Sequence, residues 1–77
     1  MTYSFTLHVA GIDTRADNYE DALYNAGCND ALIAVVNDSL YLDFDRDAET
    51  YAEAVKSATH DIERAGGKVI ESKPISN

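Results

Sequence analysis

Asp43, Asp45 and Asp47 recur at every second residue of LYLDFDRDAETYAE (residues 40–53), with Glu49 and Glu53 behind them and Asp38 just ahead. Carboxylates in such a series could ligate a hard cation, share a proton in acid–base catalysis, or present negative charge to a cationic partner. The run from Asp43 to Asp47 opens like a calcium-binding loop. However, Ala48 stands at the sixth position, where the sharp turn needs glycine, and Ala54 at the twelfth, where a bidentate glutamate is needed. Paired carboxylates for acid–base work need a concave cleft, and a 77-residue domain has little volume to enclose one. Presentation of charge is what remains, so binding is expected and enzymatic activity is not.

The other reactive groups add little. His8 and His60 have no second histidine or cysteine at ligand spacing, so neither a metal nor a cofactor is expected. Cys28 follows Gly27, and nothing in the sequence sets a histidine beside it, so it reads as a small buried packing group. One cysteine cannot close an internal disulfide, which favours a reducing, cytoplasmic setting. Asn37-Asp38-Ser39 fits a glycosylation acceptor but reads as a turn. The opening Met-Thr-Tyr-Ser-Phe lacks the basic and apolar segments of a signal peptide, and no apolar run approaches the roughly 18–20 residues of a membrane span.

Net charge is −8, and it is unevenly placed. Residues 13–53 hold eleven acids against Arg15 and Arg46, for −9; residues 54–77 hold three acids and four bases, for +1; residues 1–12 hold no charged side chain. A field of this sign makes direct nucleic-acid binding improbable. A domain of this length should be about 30 Å across, with a radius of gyration of roughly 11–12 Å. One DNA strand carries about nine phosphates over that distance, at ~3.4 Å each.

The elements that position these groups follow from periodicity. Tyr3, Phe5, Leu7 and Val9 alternate with Ser4, Thr6, His8 and Ala10, a half-buried strand. Asp17 and Glu20 have capping-box spacing before a two-turn helix with a stripe of Tyr19, Ala22, Leu23 and Ala26, which Gly27 should terminate. ALIAVV, residues 31–36, reads as a strand covered at least partly on both faces, joined through Asn37-Asp38-Ser39 to a strand in which Leu40, Leu42 and Phe44 face the core while Tyr41, Asp43 and Asp45 face away. A long helix from about Ala48 to Ala65, capped by Asp47, shows a stripe of Tyr51, Val55, Ala58 and Ile62 and should end at Gly66-Gly67. KVIES, residues 68–72, supplies a last strand before Pro74 and a frayed tail.

Strand, helix, strand, strand, helix, strand predicts an α+β fold, the ferredoxin-like βαββαβ arrangement. One domain, residues 1–77, should form a four-stranded antiparallel sheet of order 4-1-3-2 with two helices on one face. The other face should expose Thr6, His8, Tyr41, Asp43, Asp45 and either Ile33 or Leu32, a mixture suited to a partner or to self-association. Tyr24 and Tyr41 fall off the apolar stripes and are candidate interface anchors.

Ala26-Gly27-Cys28, Asp30-Ala31, Tyr41-Leu42-Asp43-Phe44-Asp45-Arg46, Ala48, Ala54-Val55, Ser57-Ala58, Asp61-Ile62-Glu63 and Ala65-Gly66 together resemble a small bacterial domain that often precedes a helix-turn-helix in antitoxin-like or regulatory proteins. The likeness spans roughly two thirds of the chain, and LDFDR with the downstream Ala-Val-x-Ser-Ala is its most specific part. The chain departs from that pattern at Asn77, with no helix-turn-helix expected after the last strand. A stand-alone, more acidic version of the domain is similar to the small phage and mobile-element anti-CRISPR proteins, those acting on type I systems and type I-C first among them. The resemblance implies a cytoplasmic inhibitor in a bacterial host that binds the basic DNA-binding surface of a Cascade-type surveillance complex and blocks target DNA by mimicry; it assigns no individual contact residue.

The acids expected to meet such a partner are Asp38, Asp43, Asp45, Asp47, Glu49 and Glu53, then Asp17, Glu20 and Asp21, with Asp17 and Asp47 read as caps before contacts. No membrane contact is expected, and the chain would be a monomer or a sheet-face homodimer. Two other classes stay open: a dimerisation or interaction module of an antitoxin-like or regulatory protein, and a small regulatory ligand-binding domain.

Overall fold

Alternating apolar side chains on two nine-residue strands build one wall of the core. The computed structural model describes residues 1–75. Its elements are β1 (Thr2–Ala10), α1 (Tyr19–Asn25), β2 (Ala31–Val36), β3 (Ser39–Asp47), α2 (Tyr51–Arg64) and β4 (Lys68–Pro74). All sheet pairings are antiparallel, in the order β2-β3-β1-β4, so the two long strands lie at the centre. Phe5, Leu7 and Val9 of β1 and Leu40, Leu42 and Phe44 of β3 meet Leu23 of α1 and Ala54, Ala58 and Ile62 of α2 in one buried cluster, which puts both helices on the same face. This is the ferredoxin-like α+β fold the element order predicts. The radius of gyration is 11.5 Å and the extents are 34 × 24 × 17 Å.

Both helices end as their glycines require. The Cys28 amide donates to the Leu23 carbonyl and the Gly27 amide to Tyr24; Gly67 and Gly66 repeat the pattern on Ile62 and Glu63. These are two Schellman closures, with Gly27 and Gly66 at positive φ.

The helix starts differ from the capping signals. α1 begins at Tyr19 with Asn18 at its N-cap and no side-chain cap bond, so Asp17 does not cap it, and Ala22 is exposed rather than part of a buried stripe. α2 begins at Tyr51, not Ala48, and Thr50, not Asp47, caps it by accepting from the Glu53 amide at 3.1 Å. The reason is tertiary: Asp47 pairs with Thr2 and the Ala48 amide donates to the Met1 carbonyl, so the sheet holds the backbone extended past the point where a helix could start. At the other end β4 runs on through Pro74, as an outer strand permits, and the Ile75 amide donates to the Ser4 carbonyl; the rest of the expected tail lies outside the described residues.

β2 is also less covered than its apolar run suggests. It is an edge strand: Ala31 is buried and Ile33 half-buried, while Leu32, Val35 and Val36 are exposed. Register places Leu32, not Ile33, on the open face.

The β2–β3 turn holds Asn37 at φ 52° and Asp38 at φ 65°, the two successive left-handed residues of a type I′ hairpin. Aspartate bears a cost there that glycine avoids. Asp38→Gly should therefore raise stability by about 0.5–1 kcal/mol in urea denaturation despite the looser unfolded chain. A lower midpoint would mean that the Asp38 side chain holds the turn.

Candidate functional site

The cross-strand register turns a sequence pattern into a surface. On the helix-free face, Thr2 lies opposite Asp47, Ser4 opposite Asp45, Thr6 opposite Asp43 and His8 opposite Tyr41. The Ser4 hydroxyl donates to Asp45 at 2.5 Å, the Thr6 hydroxyl donates to Asp43 at 2.6 Å, and the Thr2 hydroxyl donates to Asp47. His8 and Tyr41 stack at 4.6 Å between ring centroids and close the row. Side chains two apart on a strand are about 6.6 Å apart, so three carboxylates stand in a row, each fixed through one oxygen and, among the described residues, without a hydrogen-bond partner at the other.

That line answers the calcium question on geometry. Carboxylates strung along an extended strand cannot converge on a cation that needs several oxygens at roughly 2.3–2.6 Å.

Of the nine expected contact acids, the fold brings Asp43, Asp45 and Asp47 together, and Glu49 adjoins Asp47 around a shallow depression shared with Met1 and Ala48. Asp38 sits in the hairpin at the opposite end of β3 and lines a different depression with Asp13 and Arg15. Glu53 is in the first turn of α2, and Glu20 and Asp21 are in the first turn of α1, with Asp17 just ahead, so these four belong to the helix layer. All nine are exposed, and among the described residues none forms an ion pair. Arg15 takes Asp13 instead, and Lys73, one strand beyond Thr6, takes Glu71 at 3.7 Å. The expected first-choice patch is thus reduced to one row on β3 with Glu49 at its end.

Arg46 is the residue that sequence reasoning undervalued. It shares the core-facing parity of Leu40, Leu42 and Phe44 and is 9% exposed, with its guanidinium 5.0 Å from the Phe44 ring centre. Its five donors are all used: Nε and one terminal nitrogen on the two Asp30 oxygens at 2.8 Å, the same terminal nitrogen on the Gly27 carbonyl at 2.8 Å, and the other on Asp61 at 2.8 Å and Ser57 at 3.2 Å. Bonds to Asp30, and then to Asp61, hold its proton more firmly than water does, against the opposing effect of burial. One side chain thereby ties β3, the α1–β2 connection and α2 together. Gly27 is part of the same joint, because a Cβ there would meet the Asp61 carboxylate at 2.6 Å. The signal was available, since an arginine in phase with a buried stripe needs acids to receive it.

Cys28 is fully buried, and its thiol is pushed up to about 11 by burial and then by the nearby Asp61 carboxylate. A pKa higher in the folded state than the ordinary 9.0 means the native chain holds that proton more tightly. Its contribution is complete below pH 9 and is lost as pH rises through 11, on the order of 2–3 kcal/mol in all. Urea titrations of wild type and Cys28→Ala should converge across pH 9–11 if so; a constant gap would show that the thiol does not titrate in that window.

No family model, no curated protein and no solved structure matches the chain. Among the described residues, no helix is long and apolar enough to cross a membrane.

Proposed function

We propose that this chain is a non-enzymatic acidic inhibitor that occupies the basic, DNA-binding surface of a protein partner and keeps duplex DNA away from it. The observation that carries the reading is the row Asp43, Asp45 and Asp47, held in line by β1 hydroxyls and paired with no base among the described residues. Its spacing of about 6.6 Å is close to two nucleotide steps of ~3.4 Å. Lysine- and arginine-lined DNA channels would receive such oxygens through charge-assisted hydrogen bonds, and a net charge of −8 would steer the encounter. The resemblance noted in the sequence supports a type I surveillance complex as the partner, type I-C first, in the cytoplasm of a bacterial host. A pull-down against that complex should retain the chain at low salt, release it steeply as salt rises, and lose it to excess target duplex. Retention indifferent to both would overturn the reading.

A second reading, an interaction module that pairs through its sheet face, is favoured by Leu32 at 75% and Val36 at 54% exposed on that face. It differs in requiring salt tolerance and sensitivity to substitution of Leu32 or Tyr41.

A further inference from the structure

The two outer strands of the sheet are built differently. β4 carries Lys68, Glu71, Lys73 and Pro74 within seven residues, and its pairing to β1 is broken by a register shift at His8/Val9. Charges, proline and irregular register are what keep an edge from accepting another strand. β2, ALIAVV, has none of them: it pairs with β3 in unbroken register and leaves Leu32, Val35 and Val36 exposed. In an antiparallel ladder, residues alternate between bonding their neighbour and facing away. Val36 and Ser39 close the hairpin and the Asp45 amide donates to the Asp30 carbonyl, so even-numbered residues bond β3 while Ala31, Ile33 and Val35 turn their amides and carbonyls outward.

We infer that the β2 edge is a docking site for one extended segment of a protein partner bearing lysine or arginine at alternate positions, added to the sheet as a fifth strand. Backbone pairing supplies the hold and alternate side chains the selectivity. Charge selects the occupant. The next strand in, β3, presents Asp43 opposite Leu32, with Asp45 and Asp47 beyond, and its one base, Arg46, is turned into the core. An added strand lies about 4.8 Å from β2, and the small Ala34, which lies opposite Tyr41, leaves a gap beside Leu32 over which a basic stem can reach Asp43 on the diagonal. A second copy of this chain is a poor occupant because it brings the same carboxylate row and another −8 of charge. The inference rests on the proposed basic partner and adds where and how that partner is held.

The test is an NMR titration of the labelled protein with a synthetic peptide alternating valine and lysine, beside the same peptide with glutamate in place of lysine. The lysine peptide should shift the Ile33 and Val35 amides and slow their exchange at least tenfold, and the glutamate peptide should not. Val35→Pro deletes an outward N–H without touching the ladder to β3 and should abolish the effect; Leu32→Lys, a surface change that guards the edge, should do the same if the proline variant fails to fold. Three results would overturn the inference: shifts confined to Asp43, Asp45 and Asp47, equal protection by both peptides, or a dimer of the free protein that Val35→Pro or Leu32→Lys dissociates. Failure of the proposed function shows separately, as no capture by the surveillance complex at low salt.

Discussion

Arg46→Met should leave the domain largely unfolded at 25 °C. Removing the guanidinium strands Asp30 and Asp61, whose side chains are 31% and 18% exposed, with no counter-charge among the described residues except Arg64, 3.9 Å from Asp61. It also leaves the Gly27 carbonyl and the Ser57 hydroxyl without their donors. Breaking a buried pair by removing one member costs about 3–5 kcal/mol, and a domain of this size has only a few kcal/mol of net stability. Lysine should not rescue it, because a single ammonium cannot reproduce five donors in a planar fork. The informative companion is Arg46→Met with Asp30→Asn and Asp61→Asn, which removes the stranded charges and should recover part of the loss. Urea midpoints read by circular dichroism decide it: a single variant within about 0.5 kcal/mol of wild type, inside the range of ordinary surface changes, would show that the network is not what joins the helices to β3.

The second large effect is on binding and leaves the fold alone. Asp43→Lys, Asp45→Lys and Glu49→Lys together move net charge from −8 to −2 while touching only exposed side chains. Ser4 and Thr6 lose their acceptors at the surface, where water replaces them. Each charge-assisted hydrogen bond lost at a partner is worth about 1.5–3 kcal/mol, so on the proposed function affinity for the surveillance complex should fall roughly a thousand-fold or more, with the unfolding midpoint nearly unchanged. The control is the equal charge change on the helix layer, Asp17→Lys, Glu20→Lys and Asp21→Lys. If inhibition depends on the β3 row, that control should keep most of its affinity. Equal losses in both would make net charge, and not the row, the cause, and an unchanged inhibitory titration of the β3 variant would exclude the acidic face altogether.

The sequence by itself determined the element order, the sheet order and the faces of the central strands, because a period of two in Tyr3–Val9 and Leu40–Phe44 admits one inward set and one outward set. Gly27 and Gly66 were legible as helix ends for an equally local reason: only glycine takes that backbone without cost. Asn37-Asp38 was legible as a turn. The helix starts were not legible, because Asp17 and Asp47 carry the right side chains for caps while strand pairing and loop path decide where a helix can begin. The coverage of β2 was not legible either, since a strand's place at the edge or centre is a property of the sheet.

For the candidate site, local alternation put Asp43, Asp45 and Asp47 on one face, but only the register with β1 set a hydroxyl opposite each of them. Only the tertiary structure divided the nine acids between two layers and two ends of the molecule. It alone set Asp30 and Asp61 around the inward-facing Arg46, the one base on β3, and left the carboxylate row without a base among the described residues. A charge's partner is fixed by distance in space, and residues 15 to 19 positions apart in the chain are brought within 2.8 Å of that guanidinium by the packing of three elements.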